Sequence, residues 1–307
     1  MNKTVFLFTG QGAQYPGMGK SLYDSVPAAR KIFAEAECMR PGIIELCFEG
    51  NAEELSLTQN TQPCLFVVDC ACAAALESAG VKAEAAAGFS LGELAAVAFG
   101  GILSFQNAFK LVCERARLMM AAAQEHPGAM TAVLKLDAET VERIAQSYNN
   151  VFPVNYNCPG QTVVSGSHDE LAAFEEEVAE HRGRCMRLRV SGGFHSPFMS
   201  EAAKGLRWYL NSLDFNKPRI PVYSNVTANE YGDASDLISA QIMRPVLWQR
   251  TIENLLKDGF TDFIEVGAGK TLSGFMKKIG AARMISNVED EPSLENTLSL
   301  LREVRDA

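Results

Sequence analysis

AEAAAGFSLGELAAVAFGG, residues 83–101, decides how the chain is read. A short run of small apolar residues, 84–88, ends on Gly88 and marks a strand. Its composition is poor for one, since alanine is a weak strand former. LGELAAVAFGG then has the length and small-residue content of a buried helix closed by Gly100-Gly101. Between the two sits a serine in a G-x-S-x-G pattern, Gly88 to Gly92. A strand, a sharp glycine-flanked turn and a helix form the setting of a nucleophile elbow. There the Leu91 N–H and the helix dipole would face a developing oxyanion. A serine that merely caps the helix accounts for the same letters. The pattern alone leaves both readings open.

Working outward, TVFLF at residues 4–8 is a buried strand that runs into the glycine turn TGQGAQ. An alanine-rich helix is expected over 63–79, starting at Pro63. Another, amphipathic, is expected over 105–123. FTDFIEVG later in the chain is a further buried strand. Strand, turn and helix alternate, which predicts an α/β body with a mainly parallel sheet. Residues 126–190 break that rhythm. MTAVLKL alternates as a strand, DAETVERIAQSY is helical, and NVFPVNYN and TVVSGS are strands about a Pro159-Gly160 turn. HDELAAFEEEVAEHRG is a polar-faced helix and CMRLRVS a last strand. The order β-α-β-β-α-β is ferredoxin-like. The expected division is therefore a body of residues 1–125 and 191–307 with an inserted subdomain over 126–190.

Hydrophobic residues are 47% and charged residues 21% of the 307, enough for a core without disulfide or metal staples. The formal net charge of −9 argues against nucleic acid or an anionic membrane as partner. Eight cysteines form no CxxC pair and no zinc-ligand spacing, which fits buried free thiols in a reducing cytoplasm. The first residues lack the long apolar segment of a signal peptide, and no apolar run is long enough to span a bilayer.

A serine nucleophile needs a base. Of four histidines, His126 precedes Pro-Gly in a loop, and His168 and His181 bracket the charged helix. His195, in SGGFHSPFM, is left as the candidate. The Gln11 N–H in the first glycine turn is a second candidate oxyanion donor. A dinucleotide fingerprint fails there, because Tyr15 stands where the third glycine belongs. GAGKT at 267–271 fails as a phosphate loop, because Ile264 stands at its required first glycine. Arg115 and Arg117 lie on one helix, and each is either a solvated helix charge or a fork for a substrate carboxylate.

TGQGAQYPGMG, TQNTQPCLF, AGFSLGELAAVAFGGILSF, CERARLMM, NYNCPGQTVVSG, FHSPFM, RPVLW and FIEVGAGKTL fall in one order along the chain. In that order they resemble the malonyl-CoA:acyl carrier protein transacylases, a group that includes the acyltransferase domains of polyketide synthases. The resemblance implies an α/β hydrolase-like core with the ferredoxin-like insert. It implies Ser90 as the acylated residue and His195 as base and then acid. Gln11 and Leu91 would form the oxyanion hole, Arg115 would pair with the malonyl carboxylate, and Gln241 would orient His195 through a carbonyl. Asn157 would lie near the site. Phe89 departs from the pattern, which usually has histidine there, and leaves acyl choice open. Ala116, Met120 and Ala268 are lesser departures. Phe194 resembles malonyl-selective members.

The implied reaction is ping-pong transfer from malonyl-CoA to an acyl carrier protein, for fatty-acid or polyketide synthesis, with no metal or redox cofactor and no need for more than a monomer. A serine acyl hydrolase with water as acceptor, and a non-catalytic carrier-binding scaffold, remain as alternatives. Arg115 favours transfer over the first, and the intact Ser90, His195, Arg115 and Gln241 weigh against the second. Carrier docking would need a local basic surface, for which Lys270, Lys277, Lys278 and Arg283 form one candidate set. Arg182, Arg184, Arg187 and Arg189 form the other.

Overall fold

The computed structural model describes residues 3–190 and 192–306. Five strands form a wholly parallel sheet: β1 (Thr4–Phe8), β2 (Ala85–Gly88), β7 (Val222–Tyr223), β8 (Asp262–Val266) and β9 (Met284–Val288). Their order is β7-β2-β1-β8-β9. Both faces are covered, as a parallel sheet requires. Phe6, Phe8, Ala86, Ile264 and Val266 enter one core, and Val5, Leu7, Ala85, Ala87 and Phe263 enter the other. The alanines of β2 are strand because of where they lie, hydrogen-bonded between β1 and β7 with all four residues buried. Burial and pairing overrule their propensity.

The insert is the expected antiparallel sheet: β3 (Ala129–Leu134), β4 (Val151–Cys158), β5 (Gln161–Gly166) and β6 (Arg184–Arg187). The order β4-β5-β3-β6 is that of the ferredoxin-like fold. Val133 and Val164 face its two helices, Ala138–Ala145 and His168–Glu180. Met130, Ala132 and Val163 face the other way, across a cleft toward the parallel sheet.

One boundary is corrected. The buried helix does not begin at Pro63 but spans Thr58–Ser78 with the proline inside. Proline removes the N–H that would bond the Gln59 carbonyl. Arg40 supplies the replacement, its Nη1 donating to Gln59 O at 2.9 Å. The helix therefore continues through a residue that normally starts one. No helix among the described residues is long and apolar enough to cross a membrane.

Candidate active site

The elbow after β2 is as tight as the two glycines suggest. A Cβ on Gly88 would fall 2.0 Å from Gly92 C and O, and one on Gly92 would fall 2.3 Å from Phe8 O. Ser90 itself has φ 53°, a left-handed conformation costing about 1–2 kcal/mol in a non-glycine residue. It is not the cap of the helix Gly92–Phe99, whose N-cap is Leu91 with no side-chain bond. The conformation is held by Asn225, whose Oδ1 accepts from Ser90 N at 2.8 Å while its Nδ2 donates to Gly88 O at 2.7 Å.

The freed hydroxyl meets the His195 imidazole. Ser90 Oγ lies 2.7 Å from His195 Nε2 across 105 residues of chain. His195 also has a positive φ, 61°, and its amide donates to Ile242 O. Its Nδ1 lies 2.8 Å from the backbone carbonyl of Gln241. A carbonyl only accepts, so Nδ1 carries the proton and Nε2 is left to accept from serine. Burial, and next the Arg115 guanidinium, push the imidazole down to about 4. It is therefore neutral at pH 7, with the Nε2 lone pair free to accept the serine hydrogen bond.

Arg115 is 1% exposed and Arg117 projects into solvent, paired with Glu114. The Arg115 Nη2 donates to Ser90 Oγ at 3.2 Å and to Gln241 Oε1 at 2.9 Å, and its Nε has no partner. Burial lowers even this guanidinium to about 10, partly offset by Glu93. Glu93, fully buried on the elbow helix, was not singled out from the sequence. It accepts from Gln241 Nε2 at 2.7 Å, from the Asn225 amide at 3.2 Å and from the Tyr231 hydroxyl. Burial raises its carboxyl to about 7. The signal was available: Glu93 is the one charged residue in LGELAAVAF, and an acid in an apolar helix demands partners. Asn225 and Tyr231 carry no comparable mark.

Two connected cavities surround these groups. The inner chamber, about 60 Å³, is walled by Ser90, His195, Arg115, Gln62, Met119 and Phe194 among others. The outer groove, about 190 Å³, runs between the sheets and is lined by Asn157, Gln161, Met186, Thr271 and Phe275 among others. Asn157 thus stands in the groove and not beside the hydroxyl, its buried Oδ1 unpartnered. Gln11 and Phe89 border both spaces. Among the described residues, neither the Gln11 nor the Leu91 amide donates to an acceptor within the protein. No group of acidic, cysteine or histidine residues suited to a metal occurs among the described residues.

An α/β core thus carries this antiparallel insert, with the His195 imidazole against a strained serine in the cleft between them. The acyl transferase domain family model matches residues 5–293, so the chain belongs to that family and is an acyltransferase. Within it, the chain is 40% identical to the malonyl CoA-acyl carrier protein transacylase of Bacillus subtilis (strain 168), over 100% of this chain and 99% of the relative. A crystal structure of the malonyl CoA-acyl carrier protein transacylase from Clostridium perfringens superposes with a TM-score of 0.95 at 39% identity, covering 99% and 98% of the two chains. A solved type II PKS acyl-carrier protein in complex with its malonyl-transacylase also matches, with a TM-score of 0.93 at 31% identity over 97% and 99%.

Proposed function

We infer that this chain transfers a malonyl group from malonyl-CoA to the phosphopantetheine thiol of an acyl carrier protein, through an ester on Ser90. The observation that carries the reading is the meeting of hydroxyl, imidazole and buried guanidinium in one chamber, with Ser90 Oγ 2.7 Å from His195 Nε2 and 3.2 Å from Arg115 Nη2. His195 takes the serine proton as Oγ attacks the thioester carbon. The tetrahedral oxyanion lies between the Gln11 and Leu91 amides, each such donor contributing about 3 kcal/mol. The imidazolium returns its proton to the leaving coenzyme A sulfur. The carrier thiol then repeats the sequence in reverse. The malonyl carboxylate takes the place of Gln241 Oε1 on Arg115 and engages the unpartnered Nε. Gln241 keeps His195 oriented through its backbone carbonyl, so no triad carboxylate is needed.

Phe194 and Phe89 bound the acyl space, and Asn157 lies along the arm of the incoming thioester. The reading divides the chain into a core, 1–125 and 191–307, and a subdomain, 126–190, with the substrate between them. It needs no metal or redox cofactor. All the groups named come from one chain, which supports a monomer, and the free cysteines support a cytoplasmic setting. The pathway served is fatty-acid or polyketide assembly.

Intact mass after incubation with malonyl-CoA tests the reading. The protein is expected to gain one malonyl group, to lose it on adding a carrier protein, and to gain nothing as Ser90→Ala. A wild-type protein that gains no mass, or passes none to the carrier, refutes it.

A further inference from the structure

The inner chamber and the outer groove share four residues: Gln11, Phe89, Asn155 and Leu188. These form the neck between Ser90 and the outside. Two are apolar, and they come from opposite layers. Phe89 projects from the elbow of the parallel sheet. Leu188 follows β6, its amide donating to Met130 O at 2.9 Å. Phe89 is braced from behind. Its ring meets Trp248, fully buried, edge-on at 5.5 Å and Phe275 at 6.2 Å. Gly10 packs against it from below, where a Cβ would fall 2.4 Å from its carbonyl oxygen and 3.0 Å from its Cδ1. A histidine at this position would put a hydrogen-bonding nitrogen in the neck, beside the serine. A phenyl ring offers water no partner there.

We propose that Phe89 and Leu188 close the neck over acylated Ser90 and keep water from the ester until a carrier thiol arrives, so that these two side chains set the partition between transfer and hydrolysis. The proposal rests on the transfer reading above. A phosphopantetheine arm is a thin, largely apolar chain near its thiol and passes between two apolar jaws. Water passing the jaws gives up its hydrogen bonds on their side and keeps only those that Gln11 and the unpartnered Asn155 Oδ1 offer across the neck. The reaction held off is ordinary ester hydrolysis. A water oxygen bonds to the acyl carbon, and the bond from that carbon to Ser90 Oγ breaks. His195 takes one proton from the water and returns one to Oγ, releasing malonate. No other reactant is consumed.

The test loads the protein with malonyl-CoA, removes free coenzyme A, and follows intact mass without carrier in ¹⁸O-labelled water. Wild type and Phe89→Leu are expected to hold the acyl group. Phe89→Ala and Leu188→Ala are expected to lose it about tenfold faster or more, since an opened site admits the side reaction, with one heavy oxygen in the malonate released. Equal lifetimes for wild type and both alanine variants overturn the proposal, as does a Phe89→Leu ester as short-lived as that of Phe89→Ala. If Phe89→Ala does not load, the Leu188→Ala lifetime decides alone. A wild-type protein that never loads instead refutes the transfer reading, and the seal falls with it. A purely structural role for either residue would lower the melting temperature and leave the lifetime unchanged.

Discussion

Arg115 is a cation kept where solvent does not reach, and its chemistry follows from what it lacks. Its Nε is unpartnered and its Nη2 is shared between Ser90 and Gln241. On the proposed reading a malonyl carboxylate completes the fork, whereas an acetyl group leaves the charge buried and unpaired, a penalty of about 3–5 kcal/mol. Arg115→Ala is therefore expected to erase most of the preference for malonyl-CoA over acetyl-CoA, read as the ratio of the two kcat/KM values. An unchanged ratio sinks the assignment. The same cation acts on His195. Because the free imidazole sits at about 4, kcat/KM should rise with pH through that region and be flat at neutrality. Once a malonyl carboxylate offsets Arg115, the imidazole is easier to protonate, so the midpoint for kcat should lie above that for kcat/KM. Coincident midpoints would contradict this. Stability carries the opposite cost. The unfolded histidine, near 6.5, binds a proton that the folded one refuses, so this group destabilises the fold as pH falls from about 6.5 to about 4, by about 3 kcal/mol in all. Glu93, raised to about 7, works against it between about 7 and 4.5, because there the folded chain holds the extra proton. Denaturant titrations at several pH values should show His195→Gln gaining on wild type as the solution is acidified; a constant difference would mean the imidazole is not held neutral by burial. The sequence exposed the residue types but not their burial. Arg115 and Arg117 are two apart on one helix, and only the packing of that helix decides which enters the chamber.

At the scale of elements, the elbow is a strained joint held shut by a residue 135 positions away. Asn225 bonds the Ser90 amide and the Gly88 carbonyl, and its own amide donates to Glu93. Asn225→Ala leaves a buried donor and a buried acceptor without partners, each costing about 1–3 kcal/mol. The expected result is a lowered melting temperature and a fall in kcat larger than any rise in KM, since the nucleophile loses its placement and the groove is untouched. A variant with wild-type kcat would show that the elbow holds itself. The strand, turn and helix of this joint were legible because glycine spacing and apolar run lengths are local properties. The helix Thr58–Ser78 was legible only in part. Proline is read as a start, and the guanidinium of Arg40 that lets the helix run through it lies 23 residues upstream, beyond the reach of any local rule.

For the whole molecule, function depends on two layers meeting across a groove, and the sequence showed the layers more clearly than the meeting. The β-α-β-β-α-β order gave the insert its fold, but which face it turns to the core depends on side chains remote from one another. The basic residues show the limit. Arg283, grouped by sequence with Lys270, Lys277 and Lys278, pairs with Asp262 at the start of β8, the end of the sheet opposite the serine. Arg187 is taken by Glu175 of the acidic helix His168–Glu180. Arg182, Arg184 and Arg189 remain exposed, and Arg184 lies two residues from Met186 on the groove face of β6. Facing it is the helix Thr271–Ile279, which gives Thr271, Leu272 and Phe275 to the groove and carries exposed Lys277 and Lys278. Lys278 lies close enough to Cys158, at the end of β4, to oppose the rise that burial forces on that thiol. On the proposed reading a carrier protein delivering its thiol down this groove rests on that rim, where an acidic one finds positive charge on both walls of a chain whose net charge is −9. Reversing Lys277 and Lys278 to glutamate should therefore raise the KM for the carrier severalfold, most strongly at low ionic strength where screening is weak. Acylation by malonyl-CoA, measured alone by intact mass, should proceed at the wild-type rate. An equal defect in both half-reactions would move the docking surface elsewhere.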